Sequence, residues 1–255
     1  MRLALALFAL LWQQSPTVPN RTGAVGSGGG GGGSISIIGT KSVDSGTVAT
    51  VSAVDFGSAI AAGSGIVLSI TFAGGPGTAS PTVCDSTTNA TCTSSASTYT
   101  SLTKGTSGGS PNTQFFYTCN AAANVRFFSF TLTGAEDETL TITAFNHSVT
   151  SGCADAHPTV VGGTAGATLT SNTYTTAVAN EIAISSMADD TNCGPTWTGA
   201  AGSGFTLANI ASTCSSMLGA TEYKIYTTTQ SSVTSTLTTG NSSGNTVAFD
   251  TATFE

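Results

Sequence analysis

Charge is what this chain most conspicuously lacks. Its 255 residues include only six Lys and Arg and thirteen Asp and Glu, for a net charge of −7. So few basic groups, scattered without a patch, exclude an electrostatic nucleic-acid interface. Histidine is almost absent too, with His147 and His157 alone, which leaves little material for acid–base catalysis. Low charge together with 39% hydrophobic residues also excludes the ordinary disordered composition. No apolar run approaches the roughly twenty residues that a transmembrane helix needs, so no membrane span is expected in the mature chain. No window combines helical periodicity with capping residues.

Hydroxyls stand where charges are missing. Eighty residues are Ser or Thr, and most hydrophobics fall in short runs alternating with them. Period-two alternation with β-branched side chains makes half-buried strands, with hydroxyls wetting the outer face. Candidate strands run through 34–38, 48–54, 65–72, 99–103, 114–120, 125–133, 139–144, 181–187, 205–210, 217–226, 233–239 and 247–254. Gly, Asn, Pro and Ser turns separate them. About a dozen such strands predict an all-β fold, a two-sheet antiparallel β-sandwich of jelly-roll type.

The ends of the chain read differently. Arg2 followed by the apolar run Leu3 to Trp12 resembles an export signal, giving a leader over 1–19. Residues 20–33 form a linker dominated by Gly28 to Gly33, and one β-sandwich domain is expected over 34–255. The cysteines, Cys84, Cys92, Cys119, Cys153, Cys193 and Cys214, are even in number and include no C-x-x-C pair. Disulfides in an extracellular setting are therefore expected, with fifteen pairings possible. Proximity suggests Cys84 with Cys92, Cys119 with Cys153 and Cys193 with Cys214. Buried free thiols are the alternative.

Several strings resemble a group of uncharacterised secreted bacterial and phage-associated Thr/Ser/Gly-rich β-sandwich domains. They are Phe116 to Ala122, Asn180 to Ile184, Gly202 to Leu207, Glu222 to Ile225 and the closing Thr253-Phe254. An Asp-Ser-x-Gly-Asn-x-Tyr loop of those domains is split here into Asp85-Ser86 and Thr98-Tyr99, with a cysteine-bounded insertion between. The resemblance covers about 200 residues by its match of pattern to strand. It implies the fold and an extracellular setting, and brings no established activity.

Catalytic constellations are weak. G-x-S-x-G occurs at Gly105 to Gly109 and Gly240 to Gly244, but neither lies between a strand and a helix as a nucleophile elbow requires. Glu181 and Glu222, both on strands, form the only carboxylate pair to consider for glycoside hydrolysis, and strand glutamates more often face solvent. No enzyme is expected. The acidic triplet Glu136, Asp137 and Glu138 could hold structural calcium, although a solvated turn between two strands explains it more simply. No other cofactor is implied. Asn20, Asn89, Asn146 and Asn241 carry N-glycosylation signals, which such a hydroxyl-rich chain also produces by chance.

Sugar binding calls for exposed aromatic faces beside amides and carboxylates. Trp197 and Tyr174 in loops, with Asp189, Asp190 and Asn192, make the sequence's best ligand-binding set. The expectation is a secreted, non-catalytic recognition or adhesion sandwich binding a glycan on a cell surface. Its rival is a self-assembling structural subunit of a surface layer, fibre or virion decoration, built by strand addition from the Gly-hinged 34–38 segment.

Overall fold

A computed structural model describes residues 34–74, 80–106, 110–164, 168–190, 199–210, 217–238 and 246–255. The fold is all-β, every sheet is antiparallel, and no helix occurs among the described residues.

The first half of the chain supplies one sheet. Its strands are β1 (Ser36–Ile60), β2 (Gly65–Phe72), β3 (Thr82–Ser86), β4 (Thr100–Ser101), β5 (Gly105–Thr106), β6 (Asn112–Thr118) and β7 (Val125–Asn146). The order is β1-β7-β2-β6-β4, with β3 also on β7 and β5 also on β6. The second half gives β8 (Val161–Thr164), β9 (Thr168–Thr170), β10 (Glu181–Asp190), β11 (Ala200–Ala201), β12 (Thr206–Ile210), β13 (Leu218–Tyr226), β14 (Thr236–Thr238) and β15 (Thr246–Phe254). These make a five-stranded sheet, β12-β13-β10-β15-β8, and a three-stranded one, β11-β14-β9. Because each half of the chain keeps to its own sheets, this strand order does not establish jelly-roll connectivity.

β1 and β7 are long because each bends rather than stops. Between the pairs Thr50↔Thr131 and Val48↔Glu136 the two strands fall out of step, with β7 carrying the extra residues around Gly134. On β1, Gly46 takes a φ of +63° and its N–H donates to Asp44 Oδ1 at 3.0 Å. The sheet therefore folds over itself. Val51, Val54, Phe128 and Phe130 share one core with Ile66, Leu68, Phe72, Leu140 and Ile142.

The opposite face of β2 and β7 meets the five-stranded sheet. Val67, Phe115 and Phe145 pack there on Ile182, Ile184, Ala252 and Phe254. Alternation also sends Ser69, Thr71, Thr139, Thr141 and Thr143, all buried, to this side, so the seam between the sheets is partly hydroxyl-lined. Thr71 and Thr139 hydroxyls bond at 2.6 Å, and Gly219 of β13 sits against both. The remaining face of β10, β13 and β15 packs Met187, Leu218, Val247 and Phe249 on Leu169 and Leu237 of the small sheet. β10 is thus buried on both sides, which explains its run of small and apolar residues.

Candidate functional site

A cleft of about 590 Å³ lies where three chain segments meet: 96–100, the end of β6 with the turn 119–123, and 150–152, which joins the two halves of the chain. Thr98, Thr100, Asn120, Thr150 and Ser151 stand exposed along it, and the half-buried Tyr117 contributes an aromatic ring. Among the described residues, no carboxylate and no histidine lines it. It offers hydroxyls, an amide and backbone groups, which suit hydrogen bonding to a neutral polar ligand and supply no acid or base.

Each wall of the cleft is fixed. The turn at 121 is held by Gly63 N–H to Ala121 O at 3.0 Å and Ala121 N–H to Ser64 O at 2.9 Å. The Cys119–Cys153 disulfide ties the 150–152 segment to the β6 end. The 96–100 segment is organised by Asp85, fully buried on β3. Asp85 Oδ1 accepts from Ser95 Oγ and Ser97 N at 2.8 Å each; Oδ2 accepts from the Ser97 hydroxyl and from Tyr99 Oη at 3.1 Å. Ser97 Oγ in turn accepts from Ala122 N at 3.0 Å, linking this wall to the turn. Burial and the adjacent Asp85 carboxylate push the Tyr99 phenol well above its ordinary range, so it serves as a donor. The separated Asp85-Ser86 and Thr98-Tyr99 strings thus close on one another in space.

The other sequence candidates scatter. Trp197 and Asn192, with Cys193 and Cys214, lie outside the described residues, as does the side chain of Asp190. Asp189 is buried within β10. Tyr174 is only 4% exposed, and its hydroxyl bonds Tyr226 Oη at 2.9 Å and Ser235 Oγ at 3.0 Å. Its ring presents no face to solvent, a correction to the expected platform; its partner Tyr226, 52 residues away, makes it core.

The acidic triplet is not a turn. Glu136, Asp137 and Glu138 sit inside the continuous strand β7, and Asp137 and Glu138 are buried. Strand alternation sends neighbouring side chains to opposite faces, so the three cannot converge on one cation. Among the described residues no group of three or more His, Cys, Asp or Glu stands in metal-holding proximity.

Glu181 and Glu222 are both buried rather than on a wet face, and burial pushes each up to about 7. Glu181 pairs with Tyr226 and Glu222 with Ser185, an offset of four residues along β10. At roughly 3.3 Å per residue that separates them by about 13 Å, beyond the span of a glycosidase pair. His147 Nδ1 meets Glu255 O at 2.9 Å, while His157 Nε2 meets Asp250 Oδ1 at 3.0 Å and Oδ2 at 3.2 Å. Of the G-x-S-x-G strings, Gly240 to Gly244 and residues 107–109 lie outside the described residues. Asn89 is exposed beside the Cys84–Cys92 disulfide, and Asn146 is exposed at the end of β7. No described helix is long and apolar enough to cross a membrane.

Asp250 and the 150–152 wall were missed from sequence, and Asp85 stood out there only as part of the split loop. One signal was available for Asp250: it occupies the same phase of β15 as Ala248, Ala252 and Phe254, where an apolar residue belongs. No protein-family model, curated protein or solved structure matches this chain.

Proposed function

We propose that the chain is a secreted, non-catalytic recognition module that binds a hydroxyl-rich ligand, a glycan displayed on a cell surface, in the cleft between 96–100, 117–123 and 150–152. The observation that carries this reading is the lining itself: a volume within the roughly 300–1,000 Å³ of ligand sites, rich in hydroxyls, with one aromatic ring and no acid or base among the described residues. Secretion is supported by the export-like leader and by the Cys84–Cys92 and Cys119–Cys153 disulfides.

The test is a glycan array probed with the oxidised protein, beside Asn120→Trp and Ser151→Arg variants. Both positions are exposed, so either substitution fills the cleft without disturbing the core. Binding by the parent that both variants lose supports the reading; binding retained by both removes it from this cleft.

The structural-subunit reading keeps one observation in its favour. β1 forms an edge of its sheet, and a strand edge offers unpaired backbone groups to a second copy. Light scattering across a concentration series tests it: a strictly monomeric protein excludes assembly.

A further inference from the structure

Beyond Cys153, the segment that walls the cleft is strapped along the edge of β15. Asp155 N–H donates to Thr253 O at 3.0 Å, Thr253 N–H to Ala156 O at 2.8 Å, and Ala156 N–H to Thr253 Oγ1 at 2.9 Å. The strap is fastened again by its side chains. His157 reaches the buried Asp250, and Asp155 Oδ2 accepts from Ala177 N–H at 2.7 Å. One residue on, Val178 N–H donates to Glu181 Oε1 at 3.0 Å, so two successive amides hold two carboxyl groups side by side.

That juxtaposition is chemically incomplete without a proton. Glu181 is fully buried; its Oε2 meets no donor in hydrogen-bond geometry, Asp155 stands beside the carboxyl group and raises its pKa, and the Thr253 hydroxyl opposes that shift only weakly. Tyr226 lies opposite Glu181 on β13, while Thr253 and Phe254 flank it on β15. The nearest cation along β13, Lys224, turns to Ser203 O and to the rings of Phe205 and Tyr226. Two carboxylates so placed repel unless one is protonated, and the buried one is the one that keeps its proton.

We infer that a proton on Glu181, donated to Asp155, latches the 150–157 strap, so that this wall of the cleft is closed in mildly acidic medium and loosens as the proton leaves. Burial first, then Asp155, raise Glu181 to about 7. The latch is therefore complete below the ordinary glutamate range and lost as pH rises through about 7. The latch would regulate the cleft proposed above, and only that consequence rests on the binding reading.

Hydrogen exchange of the full, oxidised chain tests it, read for amides 153–157 and 176–179 at about pH 5 and about pH 8.5 and corrected for intrinsic exchange. Protection there should fall roughly tenfold or more across the interval, since each unit above the pKa costs a factor of ten. Glu181→Gln, whose amide can donate to Asp155 at any pH, should keep its protection; Asp155→Asn serves the same purpose if that variant folds poorly. Equal protection at both pH values in the parent, or an unchanged fall in both variants, overturns the latch. Loss of glycan binding with the exchange pattern intact would strike the binding reading alone.

Discussion

Glu138 stands directly opposite Phe72 across the β7–β2 ladder, fully buried, with neither carboxylate oxygen meeting a donor in the protein. Desolvation, then Asp137 and Glu136, push it up to about 8. Between the ordinary glutamate range and that value the folded chain holds a proton that the unfolded chain has released. Stability therefore falls as pH rises through this window, by on the order of 1.4 kcal/mol per pH unit at its steepest. Denaturant titrations at about pH 5 and about pH 8.5 should show the decline, and Glu138→Met should make it shallower, with Glu181 and Glu222 supplying what remains. A parent equally stable at both pH values would contradict this account.

Asp85 organises four donors, and replacing it by Ala leaves the Ser97 amide and the Ser95, Ser97 and Tyr99 hydroxyls to find water in a closed site. The expected loss is roughly 2–4 kcal/mol. If the cleft is the binding site, Asp85→Ala also weakens glycan binding at temperatures where the variant remains folded. Calorimetry beside the array separates the two effects.

The Cys119–Cys153 bridge spans 34 residues and joins the two halves of the chain, whereas Cys84–Cys92 spans only 8. On the loop-entropy account the longer loop contributes about 4 kcal/mol and the shorter about 2.5 kcal/mol. Paired Cys→Ser variants should lose stability in that order, measured as a difference in denaturation midpoint.

At Gly219 a methyl group would run into Thr139 Oγ1 and stand 2.7 Å from Thr71 Oγ1. Gly219→Ala should then cost roughly 1–3 kcal/mol by forcing the two sheets apart. Combining it with Thr139→Ala, which clears the nearer contact, should recover part of that loss. A neutral Gly219→Ala would mean that the seam yields more easily than its packing implies.

Alternation alone located much of this fold. β2 coincides with its expected bounds, and the expected strands 181–187, 217–226 and 247–254 fall on β10, β13 and β15. Alternation could not show that 34–38 and 48–54 belong to one strand, because Gly46 reads as a turn signal yet only bends β1. The same confusion split β7 at Gly134. Short strands such as β3 and β11 take their form from partners distant in sequence, so their own residues carry no pattern. The site was less legible. A lone Tyr174 in a Thr-rich stretch gives no sign of Tyr226, and Ser97 looks like any other serine until Asp85 is placed beside it.

The division of sheets between the two halves of the chain bears on the order of events during synthesis. Every strand of the seven-stranded sheet precedes residue 147, so that layer needs nothing from the later sequence to complete its hydrogen bonding. Domains folding as they emerge leave the amino-terminal part waiting with one face uncovered. Here that waiting face carries Ser69, Thr71, Thr139, Thr141 and Thr143 around its apolar residues, a surface that water tolerates until the second half arrives to cover it.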